Sequence, residues 1–186
     1  MSNMALRNNL LIALPNLADT PFERTVTLLC EHNDEGALGL VINRTLELSL
    51  SDMLDHLELD HQAIDGLEIP VYWGGPVSTE RGFVLHRDAS RWESTVALSD
   101  SLSLTSSRDI LAAIGRGEGP RQFLVTLGYA GWDSGQLERE MGENAWLSTA
   151  VDESIVFDTD IELRWSRATG KLGVNAVNLD PHIGHA

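Results

Sequence analysis

The chain has 186 residues, 42% of them hydrophobic and 22% charged, which suffices for one core and for one domain, or one domain with a small appendage. Acidic residues outnumber basic ones 28 to 13, the net charge is −15, and Lys171 is the only lysine. A duplex-binding surface clusters Lys and Arg against phosphates, whereas this field repels DNA. Cys30 is the only cysteine, so no intrachain disulfide forms. It lies in an apolar run where a small buried thiol is expected, and a cytoplasmic home fits.

In chain order, Leu10 to Leu14 predicts a strand closed by Pro15; five apolar residues are too few for the roughly 7–15 of an export core. Asp19 to Glu23 predicts a short helical turn with Pro21 at its first position. Arg24 to His32 and Ala37 to Asn43 are apolar runs around Asn33-Asp34-Glu35-Gly36, the pattern of an antiparallel hairpin, covered on both faces. Leu50, Met53, Leu54 and Leu57 then share one helical face, with Ser49 as cap. Residues 58–68 predict an acidic loop, Ile69 to Trp73 a strand entering Gly74-Gly75-Pro76, Gly82 to His86 another strand, and Thr95 to Leu98 a short one. Thr105 to Asp109 opens a helix that buries Ile110, Leu111 and Ile114 and stops at Gly115, Gly117 and Gly119. A strand at 121–127, a helix at about 133–143, extended pieces at Trp146 to Ala150 and Ile155 to Phe157, a helix from Asp160 to Ala168 and a strand from Leu172 to Val177 follow. The tail, from about residue 179, is expected to be loose. Strands outnumber helices and come in runs, which predicts α+β with mixed or antiparallel pairing, in a single domain over 1–186.

The segment FLVTLGYAGWDSGQLERE, Phe123 to Glu140, concentrates the candidate chemistry. An apolar run ends in a turn where Gly128, Gly131 and Gly135 alternate with Tyr129 and Trp132, which predicts a shaped, outward-facing recognition surface. The glycines lack the Gly-Lys-Ser/Thr of a phosphate loop and are spaced wrongly for dinucleotide binding, and Ser134 is not in a nucleophile elbow. His182-Ile183-Gly184-His185 matches the letters of a nucleotidyl-transfer signature but has one residue after it, too little for the pocket that signature serves. His32, His56, His61 and His86 have no spacing that puts two imidazoles on one helical face, so no metal site is expected. Glu138 and Glu140 are expected on a solvated face. Asn43 and Arg44 at a strand end, and Gly75 after Val71-Tyr72-Trp73, complete a tentative set with Tyr129, Gly131, Trp132 and Gln136. Should the two aromatic corners meet, they would wall a cleft for a peptide or small ligand; the alternative, which the pattern favours, is that Trp73 and Trp132 complete the core.

Leu11-Ile12-Ala13-Leu14-Pro15, Glu31-His32 through Gly36 to Gly39-Leu40-Val41-Ile42-Asn43-Arg44, Gly74-Gly75-Pro76-Val77, Gly82 to His86, Leu124 to Trp132 with Gly135-Gln136-Leu137-Glu138, and Asn144 to Leu147 together resemble the YqgE/AlgH family of bacteria. The resemblance runs from about 11 to 147, and the tail from His182 departs from it. It implies one α+β domain whose sheet forms a bifurcated pseudo-barrel, no cofactor, no established catalytic residues, and the label of transcriptional regulator. The expected function is a non-catalytic regulatory or recognition domain that binds a protein or small ligand, of unassigned oligomeric state. The alternatives are a small-substrate enzyme with Asn43, Arg44 and Glu140 around a cleft, and a direct DNA binder, which the acidic charge disfavours.

Overall fold

The structure, a computed structural model, describes residues 6–88 and 90–173. It begins with β1 (Asn9–Ala13), β2 (Val26–Asn33) and β3 (Gly36–Val41), an antiparallel set in which Leu10, Leu11, Ile12, Val26, Leu28, Leu29, Leu40, Val41 and Ile42 have no exposed surface. Continuous apolar runs are what strands covered on both faces require. Cys30 sits at a register shift between Leu29 and Glu31, and burial pushes its thiol up to about 12, an unreactive state. Residues 18–24 form successive turns in place of the expected helical turn, after a 3-10 turn at Pro15–Leu17.

β4 (Thr45–Ser49) follows, then α1 (Leu50–His56), with Ser49 Oγ accepting from the Asp52 amide at 3.1 Å as the cap pattern predicts. β5 (Pro70–Trp73), β6 (Val77–His86), β7 (Thr95–Ala97), β8 (Ser103–Thr105), α2 (Arg108–Gly115) and β9 (Phe123–Asp133) come next. The chain then forms α3 (Gln136–Gly142), β10 (Trp146–Ala150), α4 (Glu153–Phe157) and α5 (Arg164–Lys171). β4 and β8 are strands that the residue pattern does not announce, and Thr105 lies in β8, ahead of the helix. Ile155 to Phe157 is helical instead of extended, because Asp152 caps it by accepting from the Ser154 amide. Leu172 and Gly173 turn instead of starting a strand; residues 174–177, the tail and the His182–His185 motif lie outside the described residues.

The largest revision concerns β9, which does not stop at Leu127 but runs on to Asp133. Gly128 lets it do so. Its φ is +78°, and a Cβ there would lie 2.4 Å from the Gly75 carbonyl oxygen, so only glycine permits both the backbone angle and the close approach of the 74–76 loop. The class is the expected α+β, with a mixed, largely antiparallel sheet and flanking helices. The sheet divides at β9, where residues 125–127 pair in parallel with β5 and residues 130–133 pair antiparallel with β3, the bifurcation that the resemblance implies.

Two compact units emerge, one from the chain up to Asn43 and from Ala130 onward, the other from Arg44–Tyr129. One crossing follows β3 within two residues and the other falls inside β9, so no linker composition marks either. The first unit packs Leu11, Ala13, Leu29, Ala130, Leu137 and two tryptophans around one core. The second packs α1 and α2 on β5, β6 and β9 through Leu50, Leu54, Ile64, Val71, Ile110, Ile114 and Val125.

Candidate functional site

In the first unit, the residues expected to face a partner are committed to the architecture. The Trp132 indole is 7% exposed and lies edge-on to Trp146, ring centroids 5.8 Å apart; Phe22 meets Trp146 in the same manner at 5.6 Å. Both indole N–H groups donate to one oxygen of Glu140, each at 3.0 Å, and Gln136 Nε2 donates to the other oxygen at 2.8 Å. Glu140 is therefore not on a merely solvated face: the short α3 turns it inward because two buried N–H donors need an acceptor. Glu138 is drawn in likewise, 3.1 Å from Nε2 of the buried His32. Of the two alternatives for Trp132, an outward face and a place in the core, the indole takes the core. Gly39 of β3 makes room for it, since a Cβ there would sit 2.6 Å from Thr27 and 3.4 Å from the Trp132 ring.

Asn43 is spent on backbone, accepting from the Val26 amide at 2.8 Å and donating to the Arg24 carbonyl at 2.9 Å. Gln136 Oε1 also accepts from the Asp133 amide at 2.9 Å, which ties the corner to α3. Gly131 alone of this unit's nominated residues is exposed. In the second unit, Arg44 is half-buried and its carbonyl accepts from the Trp73 amide at 2.9 Å, while Gly75 lies against Gly128. Tyr129 is half-buried, edge-on to Phe83 at 6.0 Å and paired with Val77.

The second unit also holds a cluster that the residue pattern conceals. His86 has no exposed surface; its Nδ1 lies 2.7 Å from Asp88 Oδ1 and its Nε2 2.8 Å from Thr105 Oγ1. Acid, imidazole and hydroxyl in that order have the connectivity of a nucleophilic triad. The hydroxyl is closed off, however, because Thr105 is fully buried and its Oγ1 is 2.8 Å from Thr95 Oγ1. The cluster continues from Asp88 to the Ser90 hydroxyl at 2.7 Å and from there to the Trp92 indole N–H at 3.1 Å, so its work is to fasten the 88–95 segment to β6 and β8.

On the same face of β6 lies a slot of about 170 Å³. Met53, Leu57, Val84 and Leu111 line it, Glu80, Ser106, Ser107 and Arg108 add polar groups, and Thr105 of the His86 cluster borders it. Gly82 leaves the middle of β6 open, since a Cβ there would touch only Met53 and Leu127 side chains and Thr126 backbone at 3.4 Å or more. These residues come from three elements far apart in the chain, which is why sequence reading passed over them; a glycine inside a strand pattern was the one local sign. A more open trough of about 480 Å³ beside Asp60 and Arg116 lacks an apolar floor, and its Arg116 and Glu118 bond each other at 2.8 Å. Among the described residues no group of three or more His, Cys, Asp or Glu is placed to hold a metal ion. None of their helices is long and apolar enough to cross a membrane.

Residues 10–177 match the model of the AlgH-like family, DUF179. This chain belongs to that family. A UPF0301 protein of Nitrosococcus oceani is 50% identical over 180 residues, covering 97% of this chain and 96% of its own, and one of Idiomarina loihiensis is 50% identical over 186 residues, covering 98% and 99%. The solution structure of the AlgH protein from Pseudomonas aeruginosa superposes with a TM-score of 0.79 at 46% identity, over 97% of this chain and 96% of the other. A Corynebacterium diphtheriae protein shares the fold at 19% identity, TM-score 0.69, over 89% and 86%. These relatives are bacterial, and their names carry no activity.

Proposed function

We propose that this AlgH-like chain is a non-catalytic recognition domain of the cytoplasm, which holds one aliphatic side chain of a partner polypeptide in the slot between α1, β6 and α2, and exerts any regulatory role through that contact. The observation that carries the reading is unfilled volume with an apolar floor and polar groups at its edge. Ligand pockets for drug-sized molecules run to roughly 300–1,000 Å³, so about 170 Å³ suits a single side chain better than a large metabolite. The reading moves recognition away from Trp132, whose indole is occupied by Glu140. An enzymatic role lacks support from the His86 cluster, since Thr105 has no exposed surface. Direct DNA binding lacks support from the charge of −15.

N-acetyl-leucine amide tests the slot directly. In an NMR titration it should shift the amides of Gly82, Thr105 and Ser106, while N-acetyl-serine amide should not. Gly82→Val, whose side chain grows toward Met53 Cε, should abolish the shifts with a change in melting temperature of only a few degrees. Leucine-induced shifts that survive Gly82→Val, or that gather elsewhere, would remove the slot as the site.

A further inference from the structure

Building on the slot as a side-chain site, we infer that its natural occupant is a basic segment: an aliphatic residue flanked by Lys or Arg in a partner polypeptide. Residues 45–80, which supply α1 and the start of β6, contain eight acidic residues and no Lys or Arg. All eight, Glu47, Asp52, Asp55, Glu58, Asp60, Asp65, Glu68 and Glu80, are exposed. Three of them, Asp52, Asp55 and Glu58, lie on α1 or directly after it, and Glu80 lines the slot itself.

The nearby cations offset only part of this field. Arg81 lies on the opposite face of β6 from Glu80 and Gly82, with its guanidinium 5.0 Å over the Phe83 ring. Arg108 lines the slot and donates Nη2 to the Leu57 carbonyl at the end of α1; its charge offsets that of Glu80 there and leaves the seven other carboxylates of 45–80. Arg116 is paired with Glu118. An apolar floor set in a net acidic segment selects an apolar side chain with cationic neighbours, and the charge acts mainly on encounter rate and on choice of partner.

Four capped seven-residue peptides separate the inference from the reading it rests on: a central leucine flanked by two lysines, by two alanines or by two glutamates, and a central serine flanked by two lysines. Binding is followed through the Gly82, Thr105 and Ser106 amides. The lysine–leucine peptide should bind about fivefold or more tighter than the alanine–leucine peptide at about 50 mM NaCl, and that advantage should fall to under about twofold at about 500 mM. Glu80→Gln should reduce the advantage. Equal affinity of the lysine and alanine peptides overturns the basic partner and leaves the slot reading standing. Equal affinity of the serine and leucine peptides, or shifts from none of the four, overturns both. Concentration-dependent shifts of the same amides without peptide would make a second copy of this chain the occupant and overturn the basic segment.

Discussion

Two places in this molecule gather polar side chains against aromatic or apolar walls, and they differ in what is left over. Around Glu140 little is left over: two indole N–H groups share one carboxylate oxygen and a carboxamide takes the other. In the second unit the His86 cluster is just as closed, yet a slot with Glu80, Ser106 and Arg108 at its edge stays unfilled beside it. Aromatics interleaved with glycines therefore mark dense packing in the first unit, where glycine admits the neighbour. Open volume in the second unit is the better guide to recognition.

The comparison breaks most visibly at Glu140. Glu140→Leu strands two buried indole donors, and it should cost roughly 2–6 kcal/mol in urea unfolding, since each unsatisfied buried group costs about 1–3. Glu140→Gln keeps an acceptor and should cost about 1 kcal/mol or less. Neither change should alter leucine-amide shifts at Gly82, which lies in the other unit. A Glu140→Leu protein as stable as wild type would mean that the indole N–H groups do not depend on the carboxylate. Loss of slot binding in a folded Glu140→Leu protein would mean that the two places are not independent.

Fold class was legible because it depends on local pattern. The hairpin of β2 and β3, the cap at Ser49 and the buried face of α1 all follow from residues within a few positions of one another. The site was not, for two physical reasons. A carboxylate on a short polar helix looks solvated until the fold shows which donors it faces, and Glu140 and Glu138 face Trp132, Trp146 and His32. A slot is a property of what three elements fail to fill, and no single run of residues records it. The turn assigned at Gly128 failed differently: a positive-φ glycine can be a bulge that lets a strand continue, as it does in β9.

A smaller effect tests whether the His86 cluster is fastening or chemistry. Thr105→Val is close to isosteric and removes the hydroxyl that meets His86 and Thr95, so it should destabilise by about 1–3 kcal/mol. Any background hydrolysis of an activated ester such as p-nitrophenyl acetate should stay as in wild type; loss of turnover on this substitution would restore the triad. The acid limb offers a further handle. Burial pushes the Asp88 carboxyl up, but hydrogen bonds from Ser90 and His86 outweigh it and hold the group below its ordinary 3.8. A lowered carboxyl stabilises the fold above that ordinary value and loses its contribution as pH falls toward the folded one. Asp88→Asn should therefore flatten the stability profile below about pH 4, with wild type and Asp88→Asn converging at the acid end.

The smallest expected effect lies in the acidic segment itself. His61 Nδ1 is 2.6 Å from Asp65 Oδ1 and its Nε2 is 3.5 Å from Asp55 Oδ1, so an imidazolium has a carboxylate on each side. The hydrogen bond to Asp65 is the main cause that raises its pKa above 6.5, with Asp55 adding to it. A raised imidazole contributes stability below the unfolded value and loses it as pH rises through the folded one. The group is too exposed for that to register in global unfolding, so the readout is its own NMR titration: a midpoint above 6.5, lowered more by Asp65→Asn than by Asp55→Asn. Deprotonation removes one positive charge from the 45–80 segment, so a lysine–leucine peptide should bind slightly tighter above that midpoint, by under about twofold, and the alanine–leucine peptide should not change. Tighter binding of both peptides would mean that pH acts on the slot's shape and not on its field, and weaker binding of the lysine peptide would contradict the sign of the electrostatic argument.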